Sequence, residues 1–184
     1  MNFTHDTELT LRAACVLVNS DRTDCDQLAD QAALDSYLQT FGWTGRRDRD
    51  AAELAAVHRL RARLARIWAG ADDEARTVEE VNALLSDTHA SPWLTRHPEM
   101  PEWHLHLAST DDPLARRMGA EMAMALADLI RADELRRLKT CAAPDCEAVL
   151  IDLSRNRSRM FCDTGNCGNR QHVAAYRERR SRNH

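Results

Sequence analysis

The chain has 184 residues, 43% of them hydrophobic, and a net charge of −4 at neutral pH, enough for one full domain and a small appendage. No apolar run approaches the ~18 residues of a membrane span, and no charged-then-apolar leader with a small-residue cleavage site opens it. The expectation is a cytoplasmic protein with no membrane partner.

The charge is unevenly spread. Residues 1–139 hold 17 Lys+Arg against 24 Asp+Glu, whereas residues 140–184 hold 8 against 5. An acidic core followed by a basic tail is the asymmetry expected of a nucleic-acid-facing C-terminus. Four of the six cysteines lie in that tail in two equal pairs, and only Cys15 and Cys25 stand elsewhere. In a reducing compartment this distribution favours metal over disulfides.

In chain order, "LTLRAACVLVNS" reads as a buried first element, with Cys15 a structural thiol inside it. A short helix ending near Gly42 follows, capped by Asp24 or Asp26. In "DAAELAAVHRLRARLARIWAG", Leu54, Val57, Leu60, Leu64, Ile67 and Trp68 recur at helical spacing, with Gly70 as the stop. The other faces carry Arg59, Arg61, Arg63 and Arg66, read as a solvated surface. Thr77 with Glu80 forms a capping-box pattern before another short helix.

Three prolines then break the rhythm, and "WHLHL" alternates as a strand does, predicting a small hairpin. His104 and His106 fall on one face of it without an identifiable third metal ligand. Pro113 opens the longest helix, whose buried stripe is Leu114, Met118, Met122, Leu126 and Leu129, extended to Leu135 and Leu138. That helix is expected to run straight into the cysteine region.

Cys141-x4-Cys146 and Cys162-x4-Cys167 are two knuckles that can offer four thiolates to one zinc ion in a closed, structural site. His172 is a weaker candidate, since four thiolates already complete the shell. Between the knuckles, "AVLIDLSRNRSRMF" reads as strand, turn, strand, and a helix begins near Gly168. The order is that of a treble-clef-like finger, which at this size needs the metal to fold. The fold class is therefore mainly α with small β elements (α+β): a helical domain over 1–139 and a zinc finger over 140–184.

Cys167-Gly168-Asn169-Arg170, preceded by the other three cysteines and "DLSRNRSRMFC", closely resembles the CGNR zinc finger of a family of bacterial stress-induced transcription regulators. In that family it follows a domain called ABATE. The front of the chain is similar to that domain at "VLVNS", "DQL" and "YLQTFGW". The resemblance implies a zinc-dependent DNA-binding tail and an N-terminal domain that senses a small-molecule effector, and the reading that follows is a zinc-containing regulator whose acidic helical domain senses a signal or oligomerises. Asn19, a polar amide after an apolar strand, is then a candidate for lining the ligand pocket, with backbone capping as the alternative. The family often has a lysine two residues after the motif, where this chain has His172, one fixed positive charge fewer.

The candidate nucleic-acid contacts are Arg155, Arg157 and Arg159, aligned on one side if the strand extends through them, and Asn169, Arg170, Gln171, Arg177 and Arg180 of the last helix. Most would meet phosphate, with Asn169 or Gln171 suited to adenine. Arg170 has a second candidate role beside the zinc thiolates. One competing reading is a zinc-stapled tail packed on the core through Val173 and Tyr176, its arginines in solvent; another class is a protein-interaction module, in which the finger is a scaffold that docks a partner and the N-terminal domain is the functional unit. An enzyme is not expected, since beyond the cysteines only His172 and Asp163 could serve a second, catalytic metal. A homodimer is expected if the DNA site is palindromic.

Overall fold

A computed structural model describes residues 3–22, 25–97 and 100–182. Among these residues six α-helices and two small antiparallel hairpins run in the order α1 (His5–Asn19), α2 (Gln31–Thr40), α3 (Ala51–Ala69), α4 (Glu74–Asp87), β1 (Trp93–His97), β2 (Met100–His106), α5 (Leu114–Arg131), β3 (Leu138–Thr140), β4 (Val149–Ile151) and α6 (Cys167–Arg182). The mainly α class with small β elements is the observed one.

Helix α5 is the hub, packed by α1, α3 and α4. Its Leu114, Met118, Met122, Leu126 and Leu129 are buried together, as their spacing predicts. From α3, Val57, Leu60, Leu64, Ile67 and Trp68 join the same core, while Leu54 is partly buried against it.

Helix starts follow a different residue pattern from the one expected. Asp30 caps α2 by accepting from the Ala33 amide at 2.8 Å, and Asp24 lies outside the described residues. Asp26 instead holds Arg61 through two bonds of 2.7 and 2.8 Å. Arg61 is therefore buried, not part of a solvated face. The Arg61 guanidinium keeps the Asp26 carboxyl down near pH 2. Helix α4 begins at the Asp73 cap, one turn before the Thr77-Glu80 box. Thr77 lies inside the helix, where its hydroxyl donates to the Gly70 carbonyl at 2.9 Å.

Strands β1 and β2 form the expected hairpin, with Leu94 opposite Leu105 and Thr95 opposite His104. The long helix does not run directly into the cysteine region. It stops at Arg131, Asp133 turns at a φ of 54°, and a 3-10 turn over Leu135–Arg137 leads into β3. Leu135 and Leu138 still reach the main core, from a turn and a strand instead of the helix.

Candidate metal centre and basic surface

Strand β3 pairs with β4, not β4 with a strand beyond it, so the hairpin encloses the first cysteine knuckle. Its ends are tied by the Cys141 amide donating to the Ala148 carbonyl at 2.8 Å. The Ala142 amide donates to the Met160 carbonyl at 2.9 Å, which brings the second half of the module alongside. Cys167 is the first residue of α6, so the last ligand and the helix start coincide.

The sulfurs of Cys141, Cys146, Cys162 and Cys167 all lie within 4.8 Å of one another. Cys146 and Cys162 are 3.6 Å apart, and Cys162 and Cys167 are 3.7 Å apart. Four thiolates at about 2.3 Å from a tetrahedral zinc ion stand about 3.8 Å from each other, so the cluster fits one structural zinc. Burial, reinforced by the neighbouring thiols, raises the Cys146 pKa above that of a free thiol. A divalent cation in the centre reverses that balance and lets the four ionise together. His172 is exposed and takes no part in the cluster.

Arg170 closes the site from outside. Its guanidinium donates to both carboxylate oxygens of Asp145 at 2.9 and 3.3 Å and to the Cys167 sulfur at 3.3 Å. Four thiolates around a divalent ion leave a net charge of about −2, which such a cation offsets. Of its two candidate roles, Arg170 is thus engaged in the one at the zinc centre. Asp145, inside the first knuckle, is a partner the sequence reading missed; an acidic residue within the Cys-x4-Cys loop was the available signal.

The strand expected through Arg155, Arg157 and Arg159 does not form. Residues 152–160 make a loop around Asp152, which is fully buried. Its carboxylate accepts from Lys139, the single lysine of the chain, at 2.6 Å, from the Ser154 hydroxyl at 2.5 Å and from the Arg159 amide at 2.9 Å. Lys139 also donates to the Arg157 and Arg159 carbonyls at 2.7 and 3.0 Å. Arg157 takes a φ of 53°, which breaks strand alternation, so the three arginines do not line one strand face. Arg157 pairs with Glu134 at 3.6 Å and Arg159 with Asp163, while Arg155 is exposed.

Helix α6 leaves the centre as a basic arm, with Arg170, Arg177, Arg179, Arg180 and Arg182 against one acid, Glu178. Cys167 is its one buried residue among those described. Val173 and Tyr176, expected to dock the finger on the core, are 41% and 59% exposed.

A model of the ABATE family, described as "Putative stress-induced transcription regulator", matches residues 11–133, more than half of the chain. The CGNR zinc finger model matches residues 137–180. The chain belongs to the ABATE family. It carries a zinc finger of the CGNR type, and neither description is that of an enzyme family. A search of curated proteins gave no match. Among the described residues no helix is long and apolar enough to cross a membrane.

In this ABATE chain the hairpin of the zinc-finger region packs against the helical region that precedes it. Asn19 ends α1, not a strand, and its side-chain amide donates to the Val149 carbonyl at 2.9 Å while its oxygen accepts from the Val149 amide at 2.8 Å. Both ends of its side chain are thus engaged with β4, which it meets as a neighbouring strand would. The Cys15 sulfur contacts the same carbonyl at 3.5 Å, and burial raises that thiol to about 11, consistent with a structural role. Trp68 donates to the Leu150 carbonyl at 3.3 Å. Val149 and Ile151 belong to the helical core, whereas Leu150 packs among the zinc cysteines. His104 and His106 lie 3.1 Å apart, nitrogen to nitrogen, and join no metal-sized cluster among the described residues.

Proposed function

We propose that this chain is a zinc-dependent transcription regulator that binds DNA through α6 and the Arg155 loop of its CGNR module. The observation that carries the reading is the arm itself: a helix fixed at its first residue by the metal centre and unburied beyond it, with Arg177 and Arg180 in solvent. A solvated, arginine-rich helix is the electrostatic footprint of a surface that meets a polyanion. Asn169 and Gln171, in the first turn, suit base edges, since an amide can pair bidentately with adenine. Arg155 suits phosphate, with Arg157 and Arg159 as lesser contributors because each already has a carboxylate partner. Arg170 supports the surface by holding the helix start.

The exposure of Val173 and Tyr176 favours a second reading, an arm that docks on a partner protein. One experiment separates the two. The zinc-loaded chain is titrated with the DNA upstream of its own gene and with random DNA across a salt series, beside Arg177→Ala/Arg180→Ala. The regulator reading expects sequence-selective binding, with the salt slope falling by about 2 in the double variant. Weak, sequence-blind binding that the variant leaves unchanged would overturn it in favour of the scaffold.

A further inference from the structure

Helix α6 presents its sides unequally. Gly168, Gln171 and Ala175 are half-buried, in line with the buried Cys167, and mark the side turned toward the zinc module. Gly168 shows what that side meets, since a Cβ there would stand 3.6 Å from the Phe161 ring. Asn169, Val173, Tyr176, Arg177 and Arg180 recur at three and four residues and so share the opposite, exposed side. Of the two amides in the first turn, Asn169 is therefore the one presented outward.

That outward side is of mixed character. Val173 and Tyr176 are large apolar side chains in solvent, and Arg177 and Arg180 stand beside them. An apolar groove on a protein does not suit it, because both guanidiniums would have to leave water without a counter-charge. The major groove of duplex DNA matches the mixture: phosphates line its walls, and the thymine methyl is the apolar group displayed on its floor. Asn169 and Val173 are one turn apart, ~6 Å along the axis, roughly the rise of two base pairs. An amide suits the adenine edge, and an apolar side chain suits the methyl. Cys167, the first residue of α6, ties the helix to the metal centre, so both side chains lie in the turns nearest that anchor.

Resting on the DNA-binding reading, we infer that α6 is selective for A·T pairs read from the major groove. Asn169 pairs with adenine, Val173 packs on a thymine methyl, and Arg177 and Arg180 hold backbone phosphates.

The test titrates the zinc-loaded full chain, by fluorescence anisotropy across a salt series, with three duplexes of equal length: alternating A·T, alternating G·C, and alternating A·U in which deoxyuridine replaces thymidine. The A·U duplex keeps the phosphates, the adenine edge and the minor-groove pattern, and lacks only the methyl. The A·T duplex should bind about fourfold more tightly than A·U, the worth of one buried methyl, and at least about fivefold more tightly than G·C. Val173→Ser should abolish the difference between A·T and A·U, and Asn169→Ala should reduce the preference for A·U over G·C. Both positions are exposed, and zinc content with circular dichroism checks that each variant is folded. Equal affinity of the unmodified chain for A·T and A·U, or a difference that survives Val173→Ser, would overturn the inference and leave DNA binding intact. Salt-independent or absent binding to all three duplexes would remove the DNA-binding reading and the inference with it, leaving Val173 and Tyr176 to a protein partner.

Discussion

The helical domain and the zinc module are held together by different forces. Helix α5 buries a continuous apolar stripe against three other helices, so its stability comes from area removed from water. The zinc module has only Ala143, Ala148 and Leu150 buried among its cysteines, with Phe161 partly so. That is too little apolar surface to order some 40 residues, and metal coordination has to supply the difference. The comparison teaches that one chain can contain a metal-independent part and a metal-dependent part that meet across a single strand.

The largest expected effect follows from removing the metal. Chelation, or Cys162→Ser, should unfold the loop over 152–160 and release α6, a loss on the order of 10 kcal/mol for the module. Circular dichroism should then lose about one helix while α1 to α5 stay protected from proteolysis. Complete loss of helicity would mean that the helical domain depends on the hairpin more than its core suggests.

A smaller change should separate the two regions without touching the metal. Asn19→Ala leaves both backbone groups of Val149 without their partners on the α1 side, at a cost of about 1–3 kcal/mol. Differential scanning calorimetry should turn one transition into two, with zinc content unchanged. A single, uniformly lowered transition would show that apolar contacts across β4 are sufficient to couple the regions.

The smallest effect contrasts two carboxyls, one in each region. Asp152 in the zinc module is held near pH 2; burial alone would raise it, but Lys139, Ser154 and the Arg159 amide outweigh that. Its contribution is present above the ordinary Asp range near 3.8 and is lost as pH falls through about 2. Glu121 in the helical domain behaves oppositely. Its folded pKa of about 7 lies above the ordinary value of 4.5, so stability falls as pH rises from 4.5 through 7. The expected loss is about 1–2 kcal/mol, because the carboxyl is only partly buried. Thermal melts of Glu121→Gln should show that slope flattened, and an unchanged slope would assign it to another group.

Much of this architecture was legible because it rests on spacing. The stripes of α3 and α5, the "WHLHL" hairpin and the paired cysteines are periodic signals that survive without tertiary context. Local signals with several uses were less readable. Asp26 looked like a helix cap but pairs with Arg61, thirty-five residues away, and Thr77 looked like a cap but sits inside a helix that a nearer Asp73 starts.

The sequence by itself determined the composition of each part: an apolar helical core, four thiolates at matched spacing, and a basic terminal helix. Those properties depend on residue type and interval, which any conformation of the chain retains. Tertiary structure alone decided the partners. Strand β4 pairs with β3 because Asn19 and the helical core meet it on one side and the cysteines on the other. Arg170 turns to Asp145 because the closed knuckles bring that carboxylate beside a charged metal centre. Hydrogen bonds and ion pairs form between whatever groups packing brings within about 3 Å, and that proximity is not written in the spacing of a chain.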